Sequence, residues 1–239
     1  GKLPLIHGSG CVGKSDIMVC EACEFHDHFL QLDPDIAVIL NVDTDHLDYF
    51  GTLENVIHSF HRFASMAKKA VIYNADDANT VKAMAGITGK KQISFGWSDH
   101  CDFYPANILH EGAESSFDLY VFGKNMGRFT IHVPGRHNIL NAVAAIASSL
   151  EVGAPIEQVK EQIAQFRGAS RRFEILGKVR GITIADDYAH HPAELAVTLG
   201  AAGELHFHNV WAVFQPFTYS RTKLLMDDFA KALSLADRV

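Results

Sequence analysis

The chain has 239 residues, 48% hydrophobic and 21% charged, a composition that lets a globular protein bury one sizeable core or two modest ones. Its 28 acidic and 21 basic residues leave a formal charge of −7, and no Lys/Arg stripe interleaved with aromatics occurs, which argues against a duplex nucleic-acid partner. Neither a run of about 18 apolar residues nor a signal-like leader is visible, so the protein reads as cytoplasmic, and Cys11, Cys20, Cys23 and Cys101 are too few for a disulfide scaffold.

Gly8-Ser9-Gly10-Cys11-Val12-Gly13-Lys14-Ser15 matches the GxxxxGK[ST] spacing of a phosphate-cradling loop. Such a loop needs a strand before it and a helix after it, whereas Ile17 to Cys20 reads as a strand, so a Gly-rich hairpin is expected instead. An apolar run from Val19 ends in Glu21-Ala22-Cys23-Glu24, and a second, Ile36 to Leu40, ends in Asn41-Val42-Asp43-Thr44-Asp45-His46-Leu47-Asp48. As neighbouring parallel strands they would deliver Glu21, Asn41, Asp45 and His46 to the crevice where open α/β sheets bind ligands. Hard oxygen donors, one imidazole and several acids in a small volume suit a divalent cation, Mg²⁺ better than Zn²⁺. The plainer alternative makes Asp43 and Asp45 turn or N-cap residues and leaves Glu21 on a solvated face. Cys20-x-x-Cys23 with His26 and His28 has zinc-like donors, but the two cysteines would face opposite sides of a strand, so no zinc site is expected.

Glu54 to Lys69 carries a helical apolar period with Thr52 as N-cap, and strands Ala70 to Tyr73 and Gln92 to Phe95 flank a helix Asn79 to Ala85. This alternation implies a parallel sheet. Phe117 to Phe122 and Arg128 to Val133, separated by Gly123-Lys124-Asn125-Met126-Gly127, read as an antiparallel hairpin. Asn138 to Leu150 is a buried, alanine-rich helix, and Ile156 to Phe166 an amphipathic one with Pro155 at its first turn. Asn138 and Asn141 share a face at i, i+3, where amides can pair with an adenine edge; helix capping by Asn138 explains the pattern equally well.

At Gly168-Ala169-Ser170-Arg171-Arg172 the pattern resets to strands Phe173 to Leu176 and Ile182 to Ala185, helix Pro192 to Ala202, strand Val210 to Phe214 and helix Arg221 to Leu235. Ala236 to Val239 looks like the start of a further strand. The division expected is 1–168 and 169–239. The fold class is α/β, a central mostly parallel sheet with an antiparallel hairpin extension, followed by a smaller, incomplete Rossmann-like α/β domain. Asp186-Asp187-Tyr188-Ala189-His190-His191-Pro192 and Phe214 to Thr222 both follow strands one βα unit apart, so they face one crevice, where Arg221 could clamp a carboxylate or phosphate.

Five segments resemble the Mur ligases in family order: VCEACEFHDHFLQLDPDIAVILNVDTDHLDYF (19–50), GRHNILNAVAAIA (135–147), RRFE (171–174), DDYAHHPAE (186–194) and FQPFTYSRTK (214–223). The resemblance covers the family's central ATPase domain and most of its C-terminal domain; the family's own P-loop, GTHGKT or similar, does not occur in these residues. It implies Glu21 and His46 as Mg²⁺ ligands with Asn41 and Asp45 nearby, and Asn138 and Asn141 at the adenine. It also implies Arg172, Asp187, Tyr188, His191 and Arg221 facing the ribose, the phosphates or the amino acid, with His46, Arg172, His191 and Arg221 closest to the chemistry. Phe217 stands where the family commonly has His.

The implied activity is ATP-dependent joining of L-alanine to UDP-N-acetylmuramate through an acyl phosphate in peptidoglycan precursor synthesis, a cell-wall step on which cell shape and division depend. Without the phosphate cradle, little ligase activity is expected from this chain alone. A recycling ligase that adds a tripeptide to the same sugar is the near alternative, and HLDYF and FQPFTYSRT favour the alanine branch. A non-catalytic nucleotide- or partner-binding module and a zinc hydrolase are the alternatives from other classes.

Overall fold

In the computed structural model, which describes residues 2–239 apart from the Ser220 side chain, six strands lie side by side in sequence order. They are β1 (Ile36–Ile39), β2 (Ala70–Asn74), β3 (Lys91–Phe95), β4 (Phe103–Glu111), β5 (Glu114–Val121) and β6 (Lys124–Ile131). Strands β1 to β4 pair in parallel, and β4, β5 and β6 form an antiparallel meander. The fold is therefore α/β, with a mostly parallel sheet extended by a hairpin. The helices α1 (Leu47–Phe50) and α2 (Leu53–Met66) connect β1 to β2, α3 (Ala78–Met84) connects β2 to β3, and α4 (Arg136–Glu151) and α5 (Ile156–Gln165) follow β6.

The period of two along a strand explains why this sheet needs two cores. Ile72 points into one with Ile93, Phe95, Phe117, Phe129, Ile139 and Ile146, which lies beneath α4 and α5. Its neighbour Val71 points into the other with Phe29, Ile39, Val56 and Phe63, beneath α2 and α3. Thr52 caps α2 by accepting from the Asn55 N–H at 3.3 Å, as the sequence suggests. Asp77 caps α3 through the Thr80 N–H at 2.7 Å and also accepts from the Val42 N–H at 3.1 Å. One carboxylate thus ties the end of β1 to the start of α3.

Three local expectations change in this part of the chain. Val19 to Glu24 forms neither strand nor helix: Met18 and Val19 are exposed, and β1 pairs only with β2, so the run has no ladder to join. Gly8 to Ser15 likewise has only the Leu3–Gly8 bridge behind it and no helix after it. Strand β4 was hidden from the sequence by Pro105, by the left-handed Asn107 (φ 49°) and by a register shift between Ala106 and Leu109. It meets β3 only at Phe95–Phe103, where Asp102 Oδ2 accepts from the Ser94 N–H and hydroxyl at 2.8 and 2.9 Å.

After residue 168 come an antiparallel pair, β7 (Glu174–Val179) and β8 (Ile182–Asp186), and helices α6 (Pro192–Glu204), α7 (Tyr219–Leu224) and α8 (Met226–Leu233). The expected strand Val210 to Phe214 contributes one parallel bridge, Trp211–Arg238, and Val213 is fully exposed. The expected helix Arg221 to Leu235 is broken at Leu225 (φ −111°). Gly135, with φ +94°, opens α4 where a Cβ would lie 2.6 Å from the His137 ring and 3.1 Å from the Ala201 Cβ of α6. A side chain there would displace the His137 ring and crowd Ala201. Among the described residues, no helix is long and apolar enough to cross a membrane.

Phe117 is wholly buried between the meander and α4, so Phe117→Ala is expected to lower unfolding free energy by about 3–5 kcal/mol in a urea titration. Burial, with Asp76 nearby, pushes the Cys101 thiol up to about 11, while Cys11, Cys20 and Cys23 are exposed. Iodoacetamide at about pH 8 should therefore alkylate three cysteines of the native chain, and the fourth only after denaturation, as read by intact mass.

Candidate functional site

The chain leaving β1 cannot wander. Val42 is buried, its N–H is bound to Asp77 Oδ2, and its carbonyl accepts from Asn79 Nδ2 at 3.0 Å. Beyond this clamp, Asp45 Oδ1 accepts the His46 N–H at 2.7 Å, and His46 takes a left-handed conformation (φ 52°) to start α1. The imidazole Nε2 then lies 3.5 Å from Asp45 Oδ2 and 3.6 Å from Glu24 Oε1. Ligand atoms of Glu24, Asp45 and His46 all fall within 4.8 Å of one another, the one such group among the described residues.

Two half-buried carboxylates, which repel each other when ionised, and one imidazole form a donor set that fits a hard divalent cation. Of the residues singled out in the sequence, His46 and Asp45 are in this group. Glu21 and Asn41 are exposed and outside it, because the stretch around Glu21 is not a strand beside β1. Glu24, which the sequence reading did not single out, stands in the group; its only sequence signal is its place three residues after Glu21 in the same acidic run. Cys20, Cys23, His26 and His28 do not gather as a donor group.

From the second unit, Arg221 on α7 reaches the same corner, with Nη2 3.3 Å from Asp45 Oδ1. This ion pair joins residues 176 positions apart and brings positive charge to the edge of the acidic group. A guanidinium so placed can clamp a phosphate or carboxylate bound against the cation.

Arg172, Asp187, Tyr188 and His191 cluster at the end of β8. Asp187 accepts the Phe173 N–H on one oxygen and the Ala189 N–H on the other, each at 2.7 Å, so its carboxylate fastens the bend at residues 171–173 to β8. The Arg171 and Arg172 guanidinium carbons stand 4.6 and 6.0 Å from the Tyr188 ring centroid. His191 caps α6 through Nδ1, reciprocated by Glu194, whose carboxylate also lies 3.6 Å from Arg172. A cavity of about 1100 Å³ opens here, lined among others by Asp187, Tyr188, His190, Phe214 and Phe217.

The amide pair lies at the start of α4. Asn138 is not the N-cap, which is Gly135; its Nδ2 donates to the Pro134 carbonyl at 2.7 Å, and its Oδ1 accepts from Asn141 Nδ2 at 3.2 Å. Capping therefore does not explain these residues. Next to them Arg136 stacks 4.5 Å over the Trp97 ring.

Comparison with known proteins gives a consistent result. The family model described as the Mur ligase middle domain matches residues 3–149, and that described as the Mur ligase, glutamate ligase domain matches residues 171–239. UDP-N-acetylmuramate–L-alanine ligase of Caldanaerobacter subterraneus subsp. tengcongensis is 45% identical over the whole chain, and that of Clostridium acetobutylicum 41% identical. The chain spans about half the length of these curated relatives, 52% of each. The crystal structure of UDP-N-acetylmuramate-alanine ligase from Thermotoga maritima superposes with a TM-score of 0.71 at 30% identity, covering 88% of this chain and 46% of that one.

If the corner holds a divalent cation, His46→Ala should weaken Mn²⁺ binding at least about 10-fold, a loss readable by electron paramagnetic resonance of free Mn²⁺. Asp45→Asn should do the same without unfolding the chain.

Proposed function

The chain belongs to the Mur ligase family, and on that premise we propose that it supplies the ATP-handling and amino-acid-handling parts of an ATP-dependent ligase joining L-alanine to UDP-N-acetylmuramate. The observation that carries this reading is the Arg221–Asp45 contact beside His46, which puts a cation from one unit against the acidic corner of the other. The division of the chain falls near Gly168. Identity of 45% to a relative named for this reaction supports the choice of substrates. On this reading the chain works in the cytoplasm, where ATP and the nucleotide sugar are supplied.

In this reaction an oxygen of the sugar's lactyl carboxylate attacks the γ-phosphorus of ATP, ADP leaves, and an acyl phosphate forms. The amine of L-alanine then attacks the acyl carbon, its nitrogen gives up a proton, and inorganic phosphate departs. Charge accumulates on phosphoryl oxygens in both steps, so the protein's task is to place positive groups and exclude water. Arg221 is positioned to hold those oxygens, and Arg172, stacked near Tyr188, offers a second guanidinium from the same unit. Mg²⁺ held by Glu24, Asp45 and His46 would neutralise phosphate charge and orient the transferring group.

The linked amides of Asn138 and Asn141 present donors and an acceptor on one face of α4, the pattern that reads an adenine edge. Asp187 and His191 act on the nucleotide or amino acid by setting the positions of Tyr188, the arginine bend and the start of α6. Closure of the second unit on the first, through the Arg221 contact, would shield the acyl phosphate from water.

The test is phosphate release by the complete gene product. Release is expected only when ATP, Mg²⁺, UDP-N-acetylmuramate and L-alanine are all present, with Arg221→Ala lowering kcat by roughly 10²-fold or more. Preference for a tripeptide over L-alanine would assign the chain to the recycling reaction instead, and absence of any amino-acid-dependent release would overturn the ligase reading.

A further inference from the structure

The turn that carries Glu24 to His46 is held in an unfavourable backbone state. Within the Phe25–Gln31 turn, His26 (φ 53°, ψ 31°) and Asp27 (φ 58°, ψ 25°) are consecutive left-handed residues, and neither is glycine. Such a pair persists only where its surroundings over-determine it, and it is common beside functional sites. Backbone bonds close the turn, from the Asp27 N–H to the Glu24 carbonyl at 2.9 Å and from the Phe29 N–H to the Cys23 carbonyl at 2.8 Å. These would form equally well around a glycine, so they do not explain why an aspartate stands at the strained position.

The side chain explains it. One Asp27 oxygen accepts from the Tyr49 hydroxyl of α1 at 3.0 Å and the other from the hydroxyl of Ser59, buried on α2. Arg62, also on α2, lies 3.9 Å away. The His26 ring stacks on Tyr49 with centroids 4.5 Å apart and planes 14° from parallel. The Phe25 ring, beside that of His26, packs 4.5 Å from the His46 ring, and Glu24 faces His46 Nε2. The hydrogen bond to Asp27 also raises the Tyr49 hydroxyl above its ordinary value.

We propose that Asp27 is a positioning residue for the cation corner: by binding Tyr49 and Ser59 together, its carboxylate holds the left-handed turn that aims Glu24 at His46 and Asp45. Asp27 lies outside the group of donor atoms, and its oxygens accept from hydroxyls on α1 and α2. The inference rests on the reading of Glu24, Asp45 and His46 as a cation site. It assigns to Asp27 an effect on metal affinity that is exerted through Glu24.

Mn²⁺ binding to the intact chain, followed by electron paramagnetic resonance alongside thermal melting, tests this with Asp27→Gly, Tyr49→Phe, Glu24→Ala and the double variant Asp27→Gly/Glu24→Ala. Glycine accepts the left-handed backbone, so Asp27→Gly removes the carboxylate without adding strain. Asp27→Gly and Glu24→Ala should each weaken Mn²⁺ binding about 10-fold, Tyr49→Phe should weaken it less, and the double variant should bind no worse than Glu24→Ala. Wild-type affinity in a folded Asp27→Gly, or losses that multiply in the double variant, would overturn the positioning role while leaving the cation site standing. If Asp27→Gly failed to fold, an unchanged affinity in Tyr49→Phe would overturn it as well. A wild-type chain that takes up no Mn²⁺ would overturn both readings.

Discussion

Everything the candidate site does depends on how the backbone leaves β1. Val42 is gripped at both its polar atoms, its N–H by Asp77 and its carbonyl by Asn79, and its side chain is buried. Both partners come from the start of α3, one βα unit further along the sheet. A loop tied at both polar atoms of one residue has little freedom left, so the next four residues bring Asp45 and His46 to a fixed place. Asp77 does this while also capping α3, so loss of its carboxylate would leave orphan donors in two elements at once.

Backbone strain gathers around that place. His46, His26 and Asp27 all have positive φ, and all lie within the same cluster of rings and carboxylates. Each conformation is disfavoured for a residue with a Cβ, at about 1–2 kcal/mol apiece, and is held by packing of the Phe25, His26, His46 and Tyr49 rings and by the bonds to Asp27. The cost is tolerable because the two cores beneath the sheet are large. The arrangement is the expected one for a site whose donors must be ready before the ligand arrives.

The second unit contributes through two close approaches. Gly135 leaves room for α6 because a side chain at that point would collide with Ala201 and the His137 ring. Arg221 spans to Asp45, where the attraction is modest in an exposed pair and grows as water is excluded. The helical and turn residues near Arg171 are fastened by Asp187 and by the reciprocal cap between His191 and Glu194. Polar residues in DDYAHHPAE therefore spend much of their hydrogen-bonding capacity on the shape of the loop, while Arg171 and Tyr188 face the cavity.

The sequence by itself determined the α/β class, α2 to α6 and most of the sheet, since these rest on local signals: helical periods, the Thr52 cap, and alternation in the hairpin strands. It also singled out Asp45, His46 and Arg221 by chemical type. Tertiary structure decided the rest. Apolar Val19 read as a strand residue yet found no partner edge, and β4 formed despite Pro105 and a bulge because β5 offered it a ladder. That Glu24 and not Glu21 lies beside His46 depends on two left-handed residues and a carboxylate bonded to helices more than 20 positions away. Periodicity carries information over a few residues, whereas a site assembled from long-range hydrogen bonds and strained turns exists only once the chain has closed on itself.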